Sequence, residues 1–351
     1  MANIHEHVNY IFEELLSYSC CENPEEKKSK MQPAEGRNED IDLFRSYTGF
    51  KKAEVLPGFT VASFNSNNTR YVAANISSSE IDFKHDIFSD VDVYSAEEPE
   101  FLYCAKLLSL KVSSKFTKDT ILNDLLSQQD DETYSGHDLL EVSRFFEDVS
   151  IFRIEQDHIL FDKDIENISY LLTTQISKLI PLPISTIIDE YVSCIGNTHN
   201  SFINNVFMSL TSTHWKHAFL ELYRCIEGLY VMPSAICLKN AIGYTGKAAD
   251  LAEHCITSLD WRRKEEASLG KIVDVCMSDQ GFVNKLNTTG YLNAIEEKTP
   301  KKVAKRLYKL RNINVHQAKE VIELSDVDWR ELLSLFLVAV ELLHQEYQTE
   351  L

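Results

Sequence analysis

HWKHAFLELYRCIEGLYV, residues 214–231, places Trp215, Phe219, Leu222, Ile226 and Leu229 on one arc of a helix if each side chain is turned about 100° from the last. A helix with one apolar face has to bury that face against other elements. Downstream text supplies them. Pro233 suits the first turn of a second helix, residues 234–258 continue helical with a break near Gly243 to Gly246, and residues 262–276 keep the pattern. Pro300 opens a basic helix. Ser325 and Asp328 then form a capping-box-like start for a last helix that turns Leu332, Leu333, Phe336, Val340 and Leu343 toward a core. Residues 211–351 are therefore expected to form a compact all-α bundle.

Upstream the text changes. Ile4, Val8, Ile11, Phe12, Leu15 and Leu16 recur at helical spacing, so residues 3–18 read as an amphipathic helix. Residues 22–40, ENPEEKKSKMQPAEGRNED, are nearly free of large apolar side chains and read as a polar linker closing a first segment, residues 1–40. From Gly49 to about Leu110 short β-type runs (FTVASF, TRYVAANI, FLYCAKLLSLKV) are separated by Asn/Ser clusters suited to turns, which predicts a small sheet. Asp86 to Glu100 holds six carboxylates and no Lys or Arg, and is expected to be a solvated acidic loop. Residues 118–149 read as helical, 151–163 as extended, and 165–210 as helical with a break at Pro181 and Pro183. The expected class is α+β, with an acidic mixed α/β region over residues 41–210 preceding the bundle.

Composition narrows the function classes. The chain has 351 residues with 44% hydrophobic and 25% charged, the balance of a protein that buries a core, and its length suits two domains. Eleven glycines are under half of the roughly 7% usual, which leaves few loops able to cradle a dinucleotide or triphosphate, and no cofactor is expected. The start, MANIHEHVNYIFEELLSYSC, lacks the basic and apolar regions of a signal peptide. No stretch approaches the ~18 apolar residues of a membrane span, so a cytoplasmic protein without a membrane partner is expected. Eight cysteines (Cys20, Cys21, Cys104, Cys194, Cys225, Cys237, Cys255, Cys276) include no CxxC pair, which argues against a zinc finger or a disulfide framework. Charge is uneven: of a net −19, residues 1–212 carry −18. Within the near-neutral remainder, TPKKVAKRLYKLRNINVHQAKE (Thr299 to Glu320) has seven basic residues and one acidic, and can attract a polyanion.

That basic helix ends in LRNINVHQ, with Arg311, Asn312 and His316. Imidazole, with a reference pKa of ~6.5, suits proton transfer at a ribose 2′-hydroxyl near neutral pH. Arginine keeps its charge and offers a planar fork of donors to a developing phosphorane. Asn312 can orient substrate or imidazole. Lys302, Lys305 and Lys309 share one helical face with His316 and form a candidate RNA path. Arg311 lies about 140° away, because five residues advance an ideal helix by about 500°. Either the helix loosens at Asn312 to Asn314, or two copies of the chain share the site.

RNINVH resembles the RxxxxH motif of the HEPN superfamily in its Arg-Asn form. FLELYRCIEGL, with Glu227, resembles the first HEPN helix of anti-phage defence nucleases. The resemblance covers roughly residues 210–351. It implies a metal-independent endoribonuclease of a phage-defence or toxin type, with Arg311, Asn312 and His316 as catalytic residues. It also implies a homodimer that sets two motifs at a two-fold interface, and products ending in a 2′,3′-cyclic phosphate and a 5′-hydroxyl. The acidic N-terminal region is then the expected place for a protein trigger or inhibitor.

Other readings compete. RIEQDH, Arg153 to His158, has the same spacing but lies in an extended acidic stretch, and serves as an internal decoy. His214, His217 and Glu221 fall within about 60° on one helical face and could bind a metal, although no fourth ligand is evident and a non-metal site is expected. GYTGKA (Gly243 to Ala248) lacks the spacing and the Ser/Thr of a P-loop. The main alternative to an enzyme is a non-catalytic module that uses the bundle to hold RNA or a partner helix.

Overall fold

A computed structural model describes residues 3–20, 28, 31–34, 38–83, 85–127, 134–198, 201–259, 261, 264–316 and 322–351. The chain divides into two compact units, Met1–Gln175 and Ile176–Leu351.

The first unit is a five-stranded antiparallel sheet covered by helices. α1 (Ile4–Ser19) and α2 (Asn38–Ser46) precede β1 (Thr48–Leu56), β2 (Phe59–Ser66) and β3 (Thr69–Ala74). β4 (Asp92–Ser95), α3 (Glu98–Leu107), α4 (Lys118–Asp124), α5 (Leu139–Ser143), β5 (Ser150–Glu155) and α6 (Ile165–Thr174) follow. The sheet order is β1-β2-β3-β5-β4. Turn chemistry sets the two hairpins: Gly58 takes φ +77° between β1 and β2, and Asn67 takes φ 53° between Ser66 and Thr69, which pair across the turn. Period-two alternation then separates the faces. Ala62, Phe64, Ala73 and Ile151 point into a core shared with Ile11 and Leu15 of α1, Phe44 of α2 and Phe101 of α3. Tyr47 packs edgewise on Phe64 there and both meet Tyr103 at a tilt, with ring centroids 4.7–5.0 Å apart. On the other face Arg70 is buried and donates to the carbonyls of Phe161 and Lys163, both at 2.6 Å, pinning the segment that follows β5.

Four expectations need correction. FLYCAKLLSLKV is not a strand. Residues 98–107 are helix α3, opened by Pro99 with Glu98 and Glu100 in its first turn, and residues 99–105 are all buried. A helix buried all round has no polar face to reveal its period, so periodicity could not separate it from a buried strand. The acidic segment 86–100 is not simply a solvated loop, since it contains β4 and the start of α3. Its Glu100 is 4% exposed and accepts from the hydroxyls of Tyr47 (3.2 Å) and Tyr94 (3.5 Å). Among the described residues of 118–149 the α-helices are the short α4 and α5, and β5 ends at Glu155, so the extended segment is shorter than 151–163. The expected linker lies mostly outside the described residues.

Burial raises the Glu100 carboxyl above its ordinary range, with the Tyr47 hydroxyl opposing in part. A group that protonates more readily folded than unfolded contributes stability that is complete below the ordinary carboxyl pKa and is lost as pH rises through the raised value. Glu100→Gln is expected to raise the melting temperature at about pH 7 and to change little at about pH 4. Equal effects at both pH values would contradict this.

The second unit is helical, as expected, but begins earlier. Short turns around Pro181 and Pro183 lead to α7 (Ile188–Asn197) and α8 (Ser201–Leu210). These helices belong to the bundle, so the boundary falls at 175/176 and not at 210/211. Tyr191 is bonded to Ser209 at 2.7 Å. Ser193 and Asn197 both donate to Glu341 of the last helix, at 3.0 and 2.7 Å. With this boundary the first unit carries 16 basic and 33 acidic side chains, and the second 19 and 21.

The remaining helices are α9 (Trp215–Gly228), α10 (Met232–Ile242), α11 (Ala248–Leu259), α12 (Glu265–Cys276), α13 (Gln280–Thr288), α14 (Pro300–His316) and α15 (Asp326–Tyr347). Phe219 and Tyr223 of α9 meet Phe336 of α15 with ring centroids 5.1 and 5.9 Å apart, and buried Trp329 packs on Phe219. Gly243 ends α10 at φ 67°. Ser325 and Asp328 form the reciprocal cap read from the sequence: Asp328 N donates to Ser325 Oγ (3.2 Å) and Ser325 N to Asp328 Oδ2 (3.1 Å). No helix among the described residues is long and apolar enough to cross a membrane.

Candidate functional site

Helix α14 begins at Pro300, whose missing N–H costs nothing in a first turn, and continues unbroken to His316. Its buried side chains, Val303, Ala304, Leu307 and Leu310, hold it on the bundle, mainly against α12. Arg311 lies at the edge of this buried arc. Its side chain is 19% exposed and reaches α9, where Nη2 donates to Glu227 Oε1 at 2.9 Å, while Nη1 donates to Asn312 Oδ1 at 3.1 Å. Burial works against the guanidinium's charge, but the carboxylates of Glu227 and Glu265 outweigh it and hold its pKa above the ordinary value. Tyr223 and Tyr230 line the same corner. The Tyr230 hydroxyl donates to that of Tyr223 at 2.8 Å, and burial raises both phenols.

His316 is exposed at the far side of the helix from the buried arc. The helix does not loosen at Asn312 to Asn314, so Arg311 and His316 of one chain face different directions. Lys302, Lys305 and Lys309 are exposed on the His316 side, with Lys302 donating to Glu297 at 3.0 Å. Thus Arg311 and Asn312 are brought together, the lysines accompany His316, and one chain does not unite the two groups.

The competing constellations take structural roles. Arg153 pairs with Glu155 at 2.9 Å on β5. His158 accepts from Leu160 N at Nδ1 (3.1 Å) and donates from Nε2 to the Ser89 carbonyl (3.0 Å), so neither ring nitrogen is left for proton transfer. His214 and His217 stand 5.5 Å apart, but Glu221 is engaged by Asn205 at 2.8 Å and by Arg224. No group of three His, Cys, Asp or Glu side chains suited to a metal occurs among the described residues.

Residue-by-residue reading singled out neither Glu227 as the partner of Arg311 nor Tyr223, Tyr230 and Glu265 around it. Tyr223, Glu227 and Tyr230 stand at i, i+4 and i+7, a polar edge on an otherwise apolar helix face that could have flagged the corner. The first unit contributes a cavity of about 300 Å³ between α1, α2 and the start of α3, floored by Val8, Phe44 and Leu102 and bordered by Asp40 and Glu98. Comparison with protein-family models, with curated proteins and with solved structures gives no match.

Proposed function

We propose that the helical unit is a metal-independent endoribonuclease of the HEPN type, acting in phage defence or as a toxin in the cytoplasm. The observation that carries this reading is the ion pair between Arg311 and Glu227, because it joins the two helices that bear the two resemblances. In this mechanism Arg311, aimed by Glu227 and Asn312, binds the scissile phosphate and its developing charge. His316 takes the proton of the 2′-hydroxyl as its oxygen attacks phosphorus, and the 5′-oxygen leaves. The electron pair ends on that leaving oxygen, which takes a proton from water while His316 returns its own proton to solvent, giving a cyclic phosphate and a 5′-hydroxyl. Since one unbroken helix turns the two groups apart, each site is composite: Arg311 from one copy and His316 from a second, across a two-fold axis. Light scattering is expected to find a dimer at micromolar concentration. A monomer that still cleaves RNA would overturn this part of the reading. The first unit, net −17, repels phosphate and is the place where a protein trigger or inhibitor would act.

The test is cleavage of labelled RNA in chelator, with the product ends identified. Lys305→Ala and Lys309→Ala are each expected to weaken RNA binding gradually and to lower the slope of log affinity against log salt by about 1, since each removes a phosphate contact. An unchanged slope would remove these lysines from the path.

A second reading rests on a specific observation: Arg311 is already neutralised by Glu227, which suits a structural tie between α9 and α14 in a non-catalytic RNA- or protein-binding module. Cleavage by no preparation on any RNA, together with salt-dependent binding, would favour it.

A further inference from the structure

We propose that the helical unit holds a second site, a polar cavity between α7, α13 and α15 that takes a free aliphatic α-amino acid by its carboxylate and its ammonium group. The proposal goes beyond the nuclease reading and does not rest on it. The cavity measures about 270 Å³, just below the range of pockets for drug-sized ligands, which suits a small metabolite. One wall is α15, where Val327, Arg330, Glu331 and Ser334 recur at i, i+3, i+4 and i+7 and so stand on one helical stripe. Thr186, Ile187 and Glu190 at the start of α7 form the second wall. Lys285 and Thr288 near the end of α13 form the third.

Four charged side chains border this space, two of each sign, and one pair is already engaged. Lys285 Nζ donates to Glu190 Oε1 at 2.6 Å, and buried Ser334 donates to the same oxygen at 3.1 Å. Half-buried Arg330 and Glu331 are held more loosely. Arg330 gives Nη1 to the Pro183 carbonyl at 3.3 Å, which leaves most of its fork uncommitted among the described residues, and Glu331 Oε2 accepts from Gly290 N at 2.7 Å, which leaves Oε1. These contacts also give the two groups a direction. Pro183 precedes α7 and Gly290 follows α13, so Arg330 leans toward the first helix and Glu331 toward the second. An α-amino acid lying across α15 then sets its carboxylate on Arg330 and its ammonium on Glu331. The helix ends agree with this orientation: the start of α7 favours an anion, with the Thr186 hydroxyl as a donor, and the end of α13 favours a cation, with Thr288 Oγ1 as an acceptor. A phosphate would meet the Glu331 carboxylate, and a simple amine would meet the Arg330 guanidinium, whereas a ligand carrying both signs satisfies both groups. Ile187, which is buried, and Val327, which is 53% exposed, supply the apolar surface for an aliphatic side chain.

The experiment titrates the full chain calorimetrically with L-leucine, L-valine, isocaproate (leucine without its ammonium), isoamylamine (leucine without its carboxylate) and inorganic phosphate. L-leucine or L-valine is expected to bind with a Kd of about 1 mM or tighter. Each leucine analogue is expected to bind about tenfold or more weakly than leucine, since it leaves one charged group of the site without its partner. Arg330→Gln weakens leucine by about tenfold and leaves isoamylamine unchanged. Glu331→Gln weakens leucine as much and leaves isocaproate unchanged, its amide oxygen still accepting from Gly290 N. A merely structural role for either side chain would move leucine and both analogues together. No heat from either amino acid at up to about 10 mM, an analogue bound as tightly as leucine, phosphate bound more tightly than leucine, or loss of the crossed pattern in the two variants would each overturn the proposal. If a variant does not fold, the wild-type titrations decide alone. A chain that cleaves RNA and binds neither amino acid would sink this inference and keep the nuclease. One that binds leucine in the crossed pattern and cleaves no RNA would do the reverse.

Discussion

On the proposed nuclease reading, His316→Ala and Arg311→Ala are each expected to reduce RNA cleavage by about 10²-fold or more while the bundle stays folded, because one would remove the proton-transfer group and the other the charge that meets the phosphate. The effects differ in kind. Arg311 is tied to Glu227, so its loss also removes that ion pair between α9 and α14, and a modest fall in melting temperature is expected beside the loss of activity. His316 is exposed, and its variant melts like wild type. Arg153→Ala and His158→Ala are expected to leave cleavage nearly unchanged, since their groups are spent on Glu155 and on the turn between β5 and α6. Mixing His316→Ala with Arg311→Ala chains tests the composite site directly. A heterodimer of the two restores one intact site, and a mixture as inactive as its components would rule out sharing. An active His316→Ala beside a dead His158→Ala would show that the wrong match was chosen.

A comparably large effect is expected in the first unit. His137 is 1% exposed, packs against Tyr134 and Phe12 with ring centroids 5.0 and 5.8 Å away, and neither ring nitrogen finds a hydrogen-bond partner among the described residues. Burial therefore pushes its pKa down to about 4. A base that protonates less readily when folded contributes stability that is complete above its ordinary value of ~6.5 and is lost as pH falls through about 4. The depression is worth about 3 kcal/mol, over a hundredfold in the folding equilibrium. His137→Phe keeps the ring packing and removes the titration. Between about pH 6.5 and pH 4 the variant is expected to lose about 3 kcal/mol less than wild type in urea unfolding followed by far-UV dichroism. Parallel pH profiles for the two proteins would refute it.

Where the fold was legible in the sequence, a local residue stated it. Pro300 and the Ser325/Asp328 pair fix two helix starts within one turn of chain, and Gly58 and Asn67 fix two hairpins in the same local way. Residues 99–105 were illegible because their setting is tertiary, with apolar neighbours on every side leaving no period to read. The boundary was misplaced for a related reason. What assigns α7 to the bundle is Glu341, some 145 residues downstream, reached by Ser193 and Asn197, while α8 is held by packing on α9 and by Asn205 donating to Glu221. In the candidate site the residue types and their angular separation followed from spacing alone. The Arg311 partner did not, because a contact across 84 positions has no local signature.

The division into two units has an optical consequence. All three tryptophans, Trp215, Trp261 and Trp329, belong to the second unit, and Trp329 is sunk beside Phe219 in its centre. Excitation at wavelengths absorbed by indole alone therefore reports on the helical bundle and is blind to the sheet, whose emission comes from tyrosine. A chain of two units is not obliged to unfold in one step. Seven of the fifteen tyrosines also lie in the bundle, so it is indole emission recorded beside the far-UV dichroism of the whole chain in a single titration that separates the melting of the bundle from that of the acidic unit, with no label, no truncation and no cutting of the chain.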